Sequence, residues 1–220
     1  GGFMTLKNGS INVKDLTYSY DLFNKILDKV SFQVESSDKV LLSGPSGSGK
    51  STICKLLYRS LGTYSGNIEF NNTSECDYSL KAIRENILYV GQNEKLFTGT
   101  IRENIECFRP VEEETFKDIC KICRLDSIVS GRPNRFNTVI NASLNNLSGG
   151  EKQRIILARA LLKKAKIIIL DEALSEVNVT MEKEILDDIF VYFKDCTLIY
   201  VTHKNVDDKF EHIIRLEQSC

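Results

Sequence analysis

The run Gly44-Pro45-Ser46-Gly47-Ser48-Gly49-Lys50-Ser51 constrains the fold more than any other stretch of the chain. It fits the pattern GxxxxGK[ST] and sits between an apolar segment, residues 39–43, and a segment with helical spacing. Such a loop needs glycines so that backbone N–H groups can curl around phosphate oxygens. It also needs a helix behind it whose N-terminus favours negative charge. A strand feeding a loop and a helix in this way belongs to an α/β sheet, with the loop at the strand's C-terminal edge. The pattern places Lys50 on the β- and γ-phosphates of a nucleotide and the Ser51 hydroxyl on Mg²⁺, with Thr52 completing the binding loop. By average residue frequencies a chance match arises in a chain of this length on the order of one time in a hundred.

The rest of the chain supplies matching elements. Residues 11–20, 26–34, 39–43 and 67–70 read as strands, with Ser36-Ser37-Asp38 as a turn. Helical spacing follows at 111–125, through Phe116, Ile119 and Cys123, and at 151–164, through Ile155, Ala158 and Leu162. A strand at 167–170, a helix at 179–193 and strands at 197–201 and 212–216 complete the order. Strands alternating with helices imply a parallel sheet, interrupted here by an all-helical insertion from about residue 96 to 160. The net charge of −1 argues against nucleic acid as the main partner, because affinity for phosphate backbones comes from a basic surface. The longest apolar runs fall short of the ~20 residues that cross a bilayer. Gly1-Gly2 reads as a cut point inside a longer chain. The seven cysteines are scattered, and Cys120-x-x-Cys123 has no second pair, so reduced thiols are expected rather than a metal or redox centre.

Two further motifs carry chemistry. Ile167-Ile168-Ile169-Leu170-Asp171-Glu172 is an apolar strand ending in two carboxylates. Asp171 at the strand's edge is placed to hold the Mg²⁺ shell and Glu172 to polarise an attacking water. An apolar strand followed by an acidic turn is common, and it gains meaning here from the phosphate loop upstream. Leu147-Ser148-Gly149-Gly150-Glu151 opens a helix that continues Lys152-Gln153-Arg154-Ile155-Ile156-Leu157-Ala158-Arg159-Ala160-Leu161-Leu162. A Ser-Gly-Gly at a helix start is ordinarily just an N-cap, with Ser148 accepting from the backbone. It is equally an anion site built from amides and dipole.

This last stretch resembles the ABC ATPases, whose signature is LSGGQ followed by QRxxxARAL, and the resemblance covers residues 11 to 217. It implies an α/β fold: a P-loop NTPase core with a parallel sheet, an N-terminal antiparallel β-subdomain and an inserted helical subdomain, all within a single nucleotide-binding domain, 1–220. Tyr20 matches the aromatic that stacks on adenine. Gln92 matches the glutamine that couples the Mg²⁺ site to a membrane domain, and His203 the switch histidine on the γ-phosphate. The implied ATP site comprises Tyr20, Gly44, Pro45, Ser46, Gly47, Ser48, Gly49, Lys50, Ser51, Thr52 and Gln92, with Ser148, Gly149 and Gly150 reaching the ATP of a second copy. Glu172, His203, Gln92 and Lys50 are the implied catalytic set, and Ser51, Gln92 and Asp171 the Mg²⁺ set.

Leu96-Phe97-Thr98-Gly99-Thr100-Ile101-Arg102-Glu103-Asn104-Ile105 resembles the export-type segment LFxGTIRENI. Asn145-Asn146-Leu147-Ser148 and Glu172-Ala173-Leu174-Ser175-Glu176-Val177 are similar to bacterial exporters of bacteriocins and lantibiotic peptides. The resemblance therefore implies a homodimer of such domains, a membrane domain upstream and a place on the cytoplasmic face of a bacterial membrane. DNA-maintenance ATPases, with long coiled coils between their halves, and twin-cassette translation factors fit the compact single cassette less well. Three departures stand out: Ala142-Ser143-Leu144 where exporters carry Glu-Arg-Gly, Asn178 where the family has Asp, and no proline in Asn93-Glu94-Lys95.

Overall fold

Alternation inside the apolar runs decides how the strands pack. In the computed structural model, which describes residues 5–141 and 146–217, the elements follow the order β1 (Ile11–Ser19), β2 (Lys25–Val34), β3 (Lys39–Ser43), α1 (Lys50–Leu57), β4 (Ser65–Phe70), β5 (Thr73–Ser74), α2 (Leu80–Asn86), β6 (Ile87–Val90), β7 (Gly99–Thr100), α3 (Ile101–Glu106), α4 (Glu113–Ile122), α5 (Asp126–Val129), β8 (Val139–Ile140), α6 (Gly149–Leu161), β9 (Ile167–Asp171), α7 (Val179–Tyr192), β10 (Thr197–Val201) and β11 (His212–Arg215). Five strands pair in parallel in the order β11-β3-β10-β9-β6.

Successive side chains of a strand point to opposite faces, so each central strand feeds two cores. Ile168 and Leu170 of β9, Leu198 and Tyr200 of β10, and Leu41 of β3 join the core formed with α3 to α7. Their neighbours Ile167, Ile169, Ile199, Val201, Val40 and Leu42 join the other. That second core is closed by α1, through Ile53, Leu56 and Leu57, and by the antiparallel sheet β2-β1-β4-β5. Burial on both faces is why these strands read as unbroken apolar runs rather than alternating ones.

The α/β architecture with its parallel and antiparallel sheets is the one the sequence implies. The 96–160 segment differs from expectation: it is not all helical. Gly99 pairs with Ile140 and Thr100 with Val139 in a two-stranded ribbon, β7-β8, within that segment. Strands of two residues carry no readable period, which is why the sequence hides them. Two helices are also shorter than expected. The first covers Glu113–Ile122, its chain turning at Arg124, which has φ +57°. The second starts at Gly149 and ends at Leu161. The strand β6, four residues long and preceding Gln92, has no counterpart among the expected strands. The departure at Ala142-Ser143-Leu144 and the resemblance at Asn145 lie outside the described residues. No helix among the described residues is long and apolar enough to cross a membrane.

Ile169, in the middle of β9 and fully buried, tests this packing. Ile169→Ala is expected to cost about 2–5 kcal/mol in urea unfolding, because it removes packed atoms and leaves a cavity. Val191→Ser, on the exposed side of α7, should stay within about 0.5 kcal/mol of the parent.

Candidate functional site

Four parallel strands end along one edge, and each delivers a different part of the site. The loop 44–49 leaves β3, Gln92 follows β6, Asp171 closes β9, and His203 follows β10. The register keeps these ends level: Val201 lies opposite Asp171, and the Glu172 N–H donates to the Val201 carbonyl at 2.9 Å. A cleft of about 290 Å³ results, lined by Ser46, Gly47, Ser48, Gly49, Lys50, Ser51, Thr52, Gln92, Glu172 and His203, with Ile26 and Val201. Residues far apart in sequence meet because ligand sites of open parallel sheets form at the C-terminal strand ends.

The loop is built for close approach. Gly49 has φ +93°, and a Cβ there would run into the Leu27 side chain. Lys50, 7% exposed, donates from Nζ to the Gly44 carbonyl and to the Pro45 carbonyl at 3.1 Å. It is therefore held inside the loop, with its charge at the opening of α1.

The acidic pair is more constrained. Glu172 is only 4% exposed and adopts the left-handed region with φ +57°, a conformation that costs a non-glycine residue about 1–3 kcal/mol. Burial raises its carboxyl above the ordinary range, and Asp171 adds to the rise, while His203 and Lys50 oppose it. The His203 Nε2 lies 3.0 Å from Glu172 Oε1. Asp171 accepts from the Tyr89 hydroxyl at 3.2 Å through Oδ2, whereas its Oδ1 is buried without a hydrogen bond. Burial, followed by the Asp171 charge, holds the Tyr89 phenol well above its usual range, so this donor keeps its proton.

The Ser-Gly-Gly run lies elsewhere. Ser148, Gly149 and Gly150 are not among the residues lining this cleft. Gly149 borders a neighbouring one shared with Gln92, Gln153, Ala173 and Glu176. Ser148 is exposed and caps α6: its Oγ accepts from the Glu151 N–H at 3.1 Å, and Glu151 Oε1 accepts from the Ser148 N–H at 2.9 Å. This is a reciprocal capping box. A Cβ on Gly149 would collide with the Glu176 carboxylate. Tyr20 also stands outside the cleft, 56% exposed, but its hydroxyl lies 3.2 Å from Thr52 Oγ1. Its ring meets Tyr18 edge-on at 5.0 Å and lines a separate cleft with Thr63 and Tyr64.

Comparison with known proteins decides the family. Residues 27–175, more than half of the chain, match the ABC transporter family. The chain belongs to that family. It is 36% identical over 215 residues to the lactococcin-G-processing and transport ATP-binding protein LagD of Lactococcus lactis subsp. lactis, covering 96% of this chain and 30% of that protein. It is also 36% identical over 197 residues to the microcin-J25 export ATP-binding/permease protein McjD of Escherichia coli, covering 89% of this chain and 34% of that one. Among solved structures, a bacterial Atm1-family ABC exporter with ATP bound superposes with a TM-score of 0.88 at 27% identity, over 99% of this chain and 39% of the other. The chain thus spans about a third of the length of these curated relatives.

Membership makes the chain an ATPase domain that binds ATP, and it gives meaning to the departures. Glu151, where the signature has Gln, supplies the second half of the capping box, and it brings a negative charge to the first turn of α6. Asn178, where the family has Asp, caps α7 by accepting from the Met181 N–H at 2.9 Å. Asn serves as well as Asp in that role.

Several connecting residues were invisible in sequence. Gln153 donates to Ser175 Oγ at 2.8 Å and accepts from the Glu176 N–H at 2.8 Å, tying the signature helix to the turn after Glu172. Asn104, fully buried, bonds to Phe97 through both its N–H and its carbonyl, and Arg159 of α6 donates to the Asn104 and Lys95 carbonyls. The export-type segment and the ARAL run are one hydrogen-bonded unit; the only hint in sequence was that both motifs occur. Cys120 and Cys123 are buried free thiols, and burial pushes Cys120 up to about 12.

The donor set fits the Mg²⁺ that the family implies, since Asp171 Oδ1 is a buried acceptor with no hydrogen bond at the end of β9, and Ser51 and Gln92 line the cleft with the adjacent Glu172. Asp171→Asn is expected to leave Mg²⁺-free nucleotide binding intact while removing the gain in affinity that Mg²⁺ brings, as read by titration with and without chelator. Tyr20→Ala should weaken ATP binding by about 1–3 kcal/mol and Tyr20→Phe should not, as expected for stacking on a base. Equal affinities for Ala and Phe would remove Tyr20 from the site.

Proposed function

We propose that this chain is the motor domain of a membrane exporter, hydrolysing MgATP between two copies arranged head to tail, with a peptide as cargo. The observation that carries this reading is a division. Lys50, Gln92, Glu172 and His203 share one cleft, while Ser148, Gly149 and Gly150 open α6 outside it, with Ser148 exposed. A second phosphate-seeking helix start that cannot join its own cleft is suited to close another copy's cleft.

In that arrangement Lys50 exchanges its loop carbonyls for β- and γ-phosphate oxygens, and Tyr20 stacks on the base. When bound, Mg²⁺ neutralises charge on the phosphates, held by Ser51, Asp171 and Gln92. Glu172 sits in a dry environment that raises its proton affinity, which suits a group that must accept a proton from water. His203, in contact with the same carboxylate, orients it and can turn its imidazole to the γ-phosphate. The partner's α6 start excludes water and adds amide donors where negative charge develops. A peptide cargo is supported by the names of LagD and McjD; the likeness to an Atm1-family exporter makes another cargo the alternative outcome of a transport assay. The remaining two thirds of the relatives' length leaves room for a membrane domain, which supports a position for this domain at the cytoplasmic face of the membrane.

Three outcomes are expected. Glu172→Gln should bind ATP with near-parental affinity, lose nearly all turnover and accumulate as a dimer in millimolar MgATP, read by size-exclusion chromatography; turnover at the parental rate would exclude Glu172 as the base. Specific activity should rise with protein concentration, since nothing tethers two isolated copies. Lys50→Ala and Ser148→Arg chains should each be inactive, and their mixture should regain part of the activity. One site of the mixed pair is intact and the other carries both defects. A mixture that stays inactive despite demonstrated mixed dimers would show that the signature does not act on the other copy.

A further inference from the structure

Beneath the hydrolytic edge lies a buried charge cluster that the mechanism above does not use. Glu182, on α7, is completely buried. Its Oε1 accepts from the Tyr200 hydroxyl at 2.5 Å, and its Oε2 lies 2.6 Å from the Lys204 ammonium. Lys204 also donates to the Leu174 carbonyl at 2.7 Å and to the Val177 carbonyl. Two of its N–H donors thus have backbone acceptors, and Glu182 Oε2 meets the ammonium as an ion pair without a hydrogen bond.

The placement of those acceptors matters. Lys204 is the residue after His203, and the two carbonyls belong to the turn that leaves Glu172 and ends at Asn178, the cap of α7. One nitrogen atom therefore joins the loop carrying His203 to the turn carrying Glu172. A buried ion pair is weak support for stability, because desolvation offsets most of its attraction and a neutral pair of similar volume serves as well. An apolar side chain cannot, however, hold two carbonyls at fixed positions.

We propose that Lys204 is a positioning residue for ATP hydrolysis, fixing the 172–178 turn against the switch loop so that Glu172 and His203 keep their contact. The proposal rests on reading Glu172 and His203 as the hydrolytic pair. Among the described residues the Lys204 ammonium bonds to Leu174 and Val177 and pairs with Glu182, all outside the loop 44–51, so its role concerns turnover and not nucleotide binding. The Tyr200 phenol, raised by burial and by Glu182, stays protonated and holds the carboxylate from the other side.

The test separates position from stability. Lys204→Met alone strands the Glu182 charge in the core and can unfold the chain, so it is paired with Glu182→Gln, which is neutral and still accepts from Tyr200. The double variant is expected to melt near the parental temperature and bind a fluorescent ATP analogue as the parent does. At equal protein concentration its kcat should fall about tenfold to a hundredfold with KM unchanged, the cost of misplacing reacting groups by a fraction of a bond length. Lys204→Arg, which keeps charge and donors, should retain most of the parental kcat. Parental kcat in the stable double variant overturns the proposal, as does loss of ATP affinity along with turnover. Should the double variant fail to fold, Lys204→Arg decides: a folded Arg variant that turns over near the parental rate supports the role, and one as slow as Glu172→Gln overturns it. Parental turnover by Glu172→Gln would instead overturn the hydrolytic reading beneath it.

Discussion

The five-stranded parallel sheet is buried on both faces, and the site follows from that burial. Side chains in the middle of β3, β9 and β10 have nowhere to point but into one core or the other. Polar chemistry can only begin where the strands stop. Parallel pairing brings those stops to one edge, and the level register between β9 and β10 puts the turn at Glu172 beside the loop at His203. The same pairing aligns the backbone amides of the phosphate loop with the opening of α1. No single side chain creates the site; the sheet does, by denying charged groups any other place.

Charge at that edge is expensive, and the structure meets the cost in different ways. Lys50 spends its donors on the carbonyls of its own loop. Asp171 is half satisfied by Tyr89 and keeps one oxygen free of hydrogen bonds. Glu172 accepts strain in its backbone and a raised carboxyl, with the His203 imidazole 3.0 Å from its Oε1. Incomplete satisfaction of buried carboxylates costs stability, and it persists where an ion or a reacting group completes the set. On the proposed reading, binding MgATP completes it.

Regions that do not share the cleft are still mechanically connected to it. Gln153 links the start of α6 to the turn after Glu172, and Arg159 with Asn104 links the far end of α6 to the segment following Gln92. Lys204 links that turn to the switch loop. These are hydrogen bonds, most of them between side chain and backbone, directional and short, where an apolar contact would allow sliding. A signature helix that moves in a closing pair would drag the Gln92 segment and the Glu172 turn with it.

Sequence alone determined the chemistry of the loop ends. GxxxxGK[ST] after an apolar run and Asp-Glu after another have physical meaning wherever they occur between strand and helix, and Ser148 followed three residues later by Glu151 announces a capped helix. These signals are local, so folding does not have to be known to read them. What sequence could not determine was which of the ends would meet. Strand order is non-consecutive, β3 lying between β11 and β10, and no local period encodes it. The ribbon β7-β8 was hidden because two residues carry no period. Gln153 and Asn104 fell inside recognised motifs, but neither they nor Lys204 showed in sequence what they bond to. Their roles depend on backbone carbonyls and amides, tens of residues away for Gln153 and Lys204, and a backbone group leaves no mark in the sequence. The family resemblance implied that Ser148 stands apart from Lys50, but only tertiary structure, through the packing of α6 against α3, α4 and β6, fixes where that helix begins.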